Sequence, residues 1–189
     1  MRIDKNTTFK DFVFYTNLFK IEESQIESLF KKLEKKGHPQ SVFKKIVPEN
    51  LNDLTLEQLV KIESIKIVED MMFVPLQVIL DIDKLDVLKC KAFDVIRFSL
   101  FVKNELVRMG KLFSEIKYKP SAEEIQAGIN QIDNGIFGTM DWYAKRMGII
   151  DHDYVGDVKW WIVYNCMKID NTNAMFEKKL HEIYSKKKK

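Results

Sequence analysis

The sequence predicts an all-α protein, an irregular multi-helix bundle with a C-terminal helical subdomain. Gly (7) and Pro (4) are scarce in a chain of 189 residues, too few for the many tight turns of an all-β fold. Helix-start signals recur along it, Ser, Thr or Asp followed three residues later by Glu, Asp or Gln. The first side chain caps an orphan N–H and the later one reaches back. Each signal precedes apolar residues at helical spacing.

Thr8 with Asp11 opens a segment in which Phe9, Phe12, Val13 and Tyr15 fall near one face, although FVFY also suits a short strand. Ser24 with Glu27 starts a helix whose stripe, Ile26, Leu29, Phe30 and Leu33, ends at Gly37, a residue type common just past a helix. A short helix is expected over 41–47, stopping before Pro48. Thr55 with Gln58 begins a helix reaching about Ile67. Asp70 opens MMFVPLQVIL, a nearly all-apolar turn and helix expected in mid-core, where Pro75 is tolerated in a first turn and kinks a helix later. Asp83 with Asp86 is a weaker start, for the longest predicted helix, Lys84 to about Ser114. Pro120 ends the extended piece that precedes the next helix. Helices are then predicted over 121–132 (capped by Ser121 with Glu124), 139–147, 151–169 and from Thr172 to about Tyr184. No repeat period and no low-complexity linker are legible. A soft boundary near 115–120 divides an N-terminal helical bundle, 1–118, from a C-terminal helical subdomain packed on it, 119–185, with a basic tail at 186–189.

Hydrophobic residues make up 46% and charged residues 31% of the chain, a globular balance rather than a disordered one. The net charge of +3 comes in part from the Lys186 to Lys189 run, so the body is not expected to be a basic nucleic-acid reader. That run reads as a solvated tail, with weak, salt-sensitive contact to DNA or an acidic partner as the lesser reading. Cys90 and Cys166 have no C-x-x-C spacing and read as unpaired thiols in a reducing compartment. The polar start MRIDKNTTFKDF has no apolar signal-peptide core, and no apolar run reaches the ~18 residues of a membrane span. The cytosol is the expected place of synthesis and assembly.

Sites for chemistry are few. Asp151-His152-Asp153, with Asp157 nearby, is the densest group of ligand-type side chains, but a lone His among acids at a helix start reads as a cap. Asp81 to Asp86 lacks the glycine of a calcium loop and has Leu85 at a ligand position. There is no Gly-x-Ser-x-Gly elbow, no phosphate-binding glycine loop, and no local activation of either Cys or of His38, His152 or His181. Gly135-Ile136-Phe137-Gly138 matches the spacing of a KH-domain loop. Its central pair is apolar rather than basic, so it reads as a tight joint between helices. No cofactor, metal or catalytic residue is expected.

The aromatics remain. Trp142, Tyr143, Trp160, Trp161 and Tyr164 crowd into one short region, with Phe137 just before it. In the helix after Asp151, Val158, Trp161 and Ile162 share one side while Trp160 and Tyr164 share a neighbouring one. An apolar belt that wide needs more than one neighbour. Part is core, and the rest packs under another helix or is offered to a partner. Trp161 is expected in the core and Trp160 toward the partner, and all six aromatics are candidate interaction residues.

The run Lys119-Pro120-Ser121-Ala122-Glu123-Glu124-Ile125-Gln126-Ala127-Gly128-Ile129, followed by Gly138 to Gly148 with its Asp141-Trp142-Tyr143-Ala144-Lys145-Arg146 core, resembles small helical proteins of phages infecting Bacteroidetes, including crAss-like phages. The closing aromatic helix and basic C-terminus share that likeness, which covers about the last 70 residues. It transfers no active-site residue. It implies a non-enzymatic virion protein of the portal–tail region, a ring or adaptor subunit present as a homo-oligomeric ring and contacting portal or tail components. The alternative it implies is a soluble tail-assembly chaperone with an open apolar groove. An enzyme with an unrecognised site is the further alternative.

Overall fold

The computed structural model describes residues 4–19, 23–67, 70–116, 122–128, 131 and 134–187. The fold class is the predicted one: mostly helical and irregular, with a small two-stranded antiparallel sheet. The chain divides into two compact units, one of residues 1–51 and 58–108, the other of residues 52–57 and 109–189.

The first unit holds α1 (Phe9–Phe19), α2 (Glu23–Glu34), the hairpin β1 (Ser41–Val42) and β2 (Lys45–Ile46), and most of α3 (Leu56–Glu63). It also holds α4 (Asp70–Leu80), α5 (Lys84–Val87) and α6 (Ala92–Glu115) as far as Arg108. Thr8 caps α1 as its spacing predicts, its hydroxyl accepting from the Asp11 amide at 3.2 Å and donating to the Asp11 carboxylate at 2.7 Å. Already inside α2 is Ser24, so it does not cap that helix, which ends before Gly37 in left-handed backbone. Arg97 on α6 supplies donors to the carbonyls there, reaching Gly37, Lys36 and His38 at 2.8, 3.2 and 3.0 Å. Pro75 lies past the first turn of α4, buried with Leu76 and Leu80, while Met71 near its start is exposed. Val87, Ala92, Val95, Ile96 and Phe98 are wholly buried along α5 and α6.

Three predicted elements differ here. Residues 41–47 form the hairpin rather than a helix, because Phe43 and Lys44 take left-handed φ of 46° and 64°, the backbone of a tight two-residue strand turn. No Asn-Gly marks that turn in the sequence. The helix after Thr55 stops at Glu63 instead of continuing to Ile67. The long helix expected from Lys84 is broken between Val87 and Ala92. There the backbone is engaged elsewhere: the Cys90 carbonyl accepts from Phe9 at 2.8 Å, the Leu88 carbonyl from Lys10 at 3.0 Å, and the Ala92 amide donates to Thr7 at 2.9 Å.

In the second unit, α6 continues from Met109, followed by α7 (Ala122–Gln126), α8 (Gly135–Met147), α9 (His152–Gly156) and α10 (Trp160–Lys187). The predicted Ser121–Glu124 cap lies outside the described residues. Asp151 caps α9 as expected, accepting from the Asp153 amide at 3.0 Å. Asp83 takes the same position before α5 but makes no side-chain cap bond. The helix predicted over 151–169 is interrupted at 157–159, and the stop expected near 170 is absent. α10 runs unbroken for 28 residues. The interruption again has a partner: Leu56 donates to the Val158 carbonyl at 3.0 Å and Trp160 donates to Leu54 at 2.9 Å.

These two interruptions are copies of one another. Lys91 makes a one-residue antiparallel bridge with Thr8, and Lys159 makes the same bridge with Thr55. In each copy the bridging Thr is followed by a helix (α1, α3) and the bridging Lys by a long helix (α6, α10). Three backbone bonds correspond: Phe9 to Cys90 with Leu56 to Val158, Ala92 to Thr7 with Trp160 to Leu54, and Cys90 to Val87 with Val158 to Val155. Asp83, Val87, Lys91 and Val95 match Asp151, Val155, Lys159 and Val163, four identities each four residues apart. Thr8-Phe9-Lys10-Asp11-Phe12-Val13 matches Thr55-Leu56-Glu57-Gln58-Leu59-Val60 in pattern. Each unit contains one of the two bridges. The repeat escapes a period search because its two arms recur at different separations.

Candidate interaction surface

The predicted aromatics meet in the second unit around the start of α10. Trp160 is fully buried and ringed by Phe113 (centroids 5.9 Å apart), Trp161 (5.5 Å) and Tyr164 (6.2 Å). Phe113, which sequence reasoning did not single out, also meets Tyr164 edge-on at 5.5 Å. Tyr143 and Tyr164 are buried too, and Trp142 is half-buried beside Tyr143 at 6.3 Å. Trp161 keeps 37% of its surface exposed and stacks on Tyr164 at 5.3 Å. The expectation for the tryptophan pair is therefore reversed: Trp160 is core and Trp161 faces out. The phase of α10 decides this. It starts at the bridge, at Trp160, and not at Asp151, so the inward position falls one residue earlier.

The joint expected at Gly135 to Gly138 is instead the first turn of α8. Gly135 has φ 52°, and a Cβ on Gly138 would lie 2.5 Å from the Asn134 Cβ, so the helix can start there only without a side chain at 138. Phe137 projects from this turn, 63% exposed, with its ring stacked on His152 at 5.6 Å. Beneath it Asp141 accepts from Lys145 at 2.6 Å and lies 3.3 Å from His152 Nε2. The hydrogen bond from Lys145, then the one from His152, holds the Asp141 carboxyl below the usual range. This cluster ties α8 to α9. Among the described residues no group of three or more His, Cys, Asp or Glu is placed to hold a metal ion, and no helix is long and apolar enough to cross a membrane.

Two faces of α10 carry different chemistry. Trp160, Val163 and Tyr164 lie inward, and farther along Arg146 of α8 forks onto the Asp170 carboxylate at 3.0 and 3.2 Å. On the opposite side Ile162 and Ile169 are exposed. From Thr172 to Lys186 every side chain of α10 is exposed, including Phe176, Leu180, Ile183 and Tyr184. The sequence marks these apolar residues, but the helix stop expected near 170 separates them from Ile162 and Ile169.

The first unit has its own apolar feature, a groove of about 610 Å³ lined among others by Phe30, Ile62, Met71, Met72, Leu100 and Val107, with Glu63 and Lys103 as charged members. Sequence reading missed it, since its walls come from α2, α3, α4 and α6. Comparison with known protein families, curated proteins and solved structures finds no match.

Proposed function

We propose that the chain is a non-catalytic assembly subunit that acts through protein–protein contacts. The observation that carries this reading is α10, whose final turns, from Thr172 to Lys186, leave every side chain exposed, Phe176, Leu180, Ile183 and Tyr184 among them. Exposed apolar rows of this kind are interaction surfaces in folded proteins. The resemblance noted in the sequence supplies the setting: a ring or adaptor subunit of the portal–tail region of a phage particle, in contact with portal or tail proteins. Size-exclusion chromatography with light scattering, on the full chain alone and with candidate portal and tail proteins, tests it. A closed ring or a stable complex supports the reading; a chain that joins neither overturns it.

A second reading, a tail-assembly chaperone, is favoured by the methionine-lined groove of the first unit. Flexible thioethers adapt to varied apolar segments. Met71→Lys would then block capture of a tail-protein segment while leaving any ring contact intact.

A further inference from the structure

The exposed side of α10 is more regular than a scatter of apolar residues. Ile162, Cys166, Ile169, Asn173, Phe176, Leu180 and Ile183 follow one another at alternating steps of four and three. This is the spacing of a coiled-coil seam. Because α10 is one continuous helix, the row is unbroken, and it lies opposite the side occupied by Trp160, Val163 and Tyr164. Ile162, Ile169, Phe176, Leu180 and Ile183 are all exposed. We propose that this seam pairs with the same seam of a second copy of the chain, the two helices parallel and in register. The inference rests on the assembly reading above and names one of its contacts.

The register follows from Asn173. Cys166, Asn173 and Leu180 occupy one set of seam positions (a), and Ile162, Ile169, Phe176 and Ile183 the other (d). In a parallel, in-register pair each a residue faces its own copy, so Asn173 meets Asn173 and both amides are satisfied. In the antiparallel pairing that sets Asn173 against Phe176, an amide is buried against a ring and Asp170 is brought against Glu177 of the other copy, like charge on like. The parallel arrangement instead sets Thr172 beside Glu177 and Lys179 beside Tyr184. It does bring the two Lys186 side chains toward each other, so pairing should strengthen as salt screens them.

The exposed apolar area of the seam is roughly 500 Å² per copy, or roughly 1,000 Å² for the pair, at the lower end for a specific interface. Association is therefore expected in the micromolar range, visible as a concentration-dependent mass. Such a pair is two-fold and uses one surface twice, unlike the head-to-tail contact that closes a ring.

The full chain itself carries the probe for register. Cys166 sits on the seam, whereas Cys90 is buried, which pushes its thiol up to about 11 and leaves it unreactive. Mild oxidation should give a disulfide-linked dimer in the wild type and none in Cys166→Ser. Sedimentation should show monomer passing to dimer with concentration. Phe176→Lys with Leu180→Lys should weaken that by at least about tenfold, while Ala174→Lys with His181→Lys, the same added charge off the seam, should not. Circular dichroism of each variant checks that the body remains folded. A chain monomeric at all concentrations overturns the proposal, as does a dimer unaffected by the seam variant. A dimer that never cross-links through Cys166 overturns the parallel register. Complex formation with portal or tail proteins by a strictly monomeric chain would sink the self-pairing and leave the assembly function standing.

Discussion

Lys91 and Lys159 hold the same post in two copies of one motif. Each bridges a threonine far back in the chain, Thr8 for one and Thr55 for the other, and each is followed at once by a long helix. The bridge sets where the helix starts, and the start sets which residue points inward. Ala92 and Trp160 occupy that first position, and both are wholly buried.

Trp160→Ala should therefore destabilise the second unit by about 3–5 kcal/mol, the cost of emptying a large aromatic site. Trp161→Ala, at a position 37% exposed, should cost about 1 kcal/mol and leave the cooperative transition intact. Urea unfolding followed by tryptophan fluorescence compares the two. Equal losses would contradict the assigned phase of α10.

Gly138→Ala should cost about 1–3 kcal/mol, because the new methyl meets the Asn134 Cβ. Asn134 makes no side-chain cap bond, so Asn134→Gly alone should be nearly neutral. In the double variant the clash is relieved and most of the loss is recovered. A thermal double-mutant cycle on the wild type and these three variants measures the coupling.

Glu105 links stability to pH. Burial by itself would raise its carboxyl, but the hydrogen bonds from Arg108 and from the Leu51 amide, with the charges of Arg108 and His38, outweigh burial and hold it below the ordinary 4.5. A carboxyl lowered on folding contributes stability that is fully present above its unfolded value and is lost as pH falls through the folded one. From about pH 5 downward the wild type should thus lose stability faster than Glu105→Gln, which is less stable at neutral pH. Urea midpoints across that range decide it; parallel curves would refute the coupling.

Lys44 holds a left-handed backbone, φ 64°, in the hairpin turn. Lys44→Gly should stabilise the first unit by about 0.5–1 kcal/mol, since glycine adopts that conformation without strain. The midpoint of thermal unfolding should rise. A fall would mean that the Lys44 side chain contributes more than its backbone costs.

Much of the fold is legible in local chemistry. The Thr8 and Asp151 caps, the stop before Gly37 and the apolar stripe of α6 all follow from neighbours a turn away, and all are found. What is not legible is pairing across the chain. Nothing near Cys90 or Val158 says that its carbonyl will leave the helix for an amide more than a hundred residues or several helices away, as the Leu56 and Phe9 bonds do. For the same reason the aromatic cluster is found in the sequence while the inward residue is misassigned: the cluster is local, and the bridge that sets its phase is not. The hairpin fails differently, since Phe43 and Lys44 lack the residue types that announce such a turn.

The repeated bridge also has a consequence for how the chain must be made. Along the sequence its four anchors come in the order Thr8, Thr55, Lys91, Lys159, so the two closures interlace rather than follow one another. No single cut yields a continuous fragment containing one complete copy and none of the other. As the chain leaves the ribosome, Thr55 is already exposed before Lys91 arrives to meet Thr8, and it then waits for Lys159. Both contacts span long loops, which slows their formation. The first closure can be made as soon as Lys91 has emerged, but the second must wait for Lys159, 68 residues later.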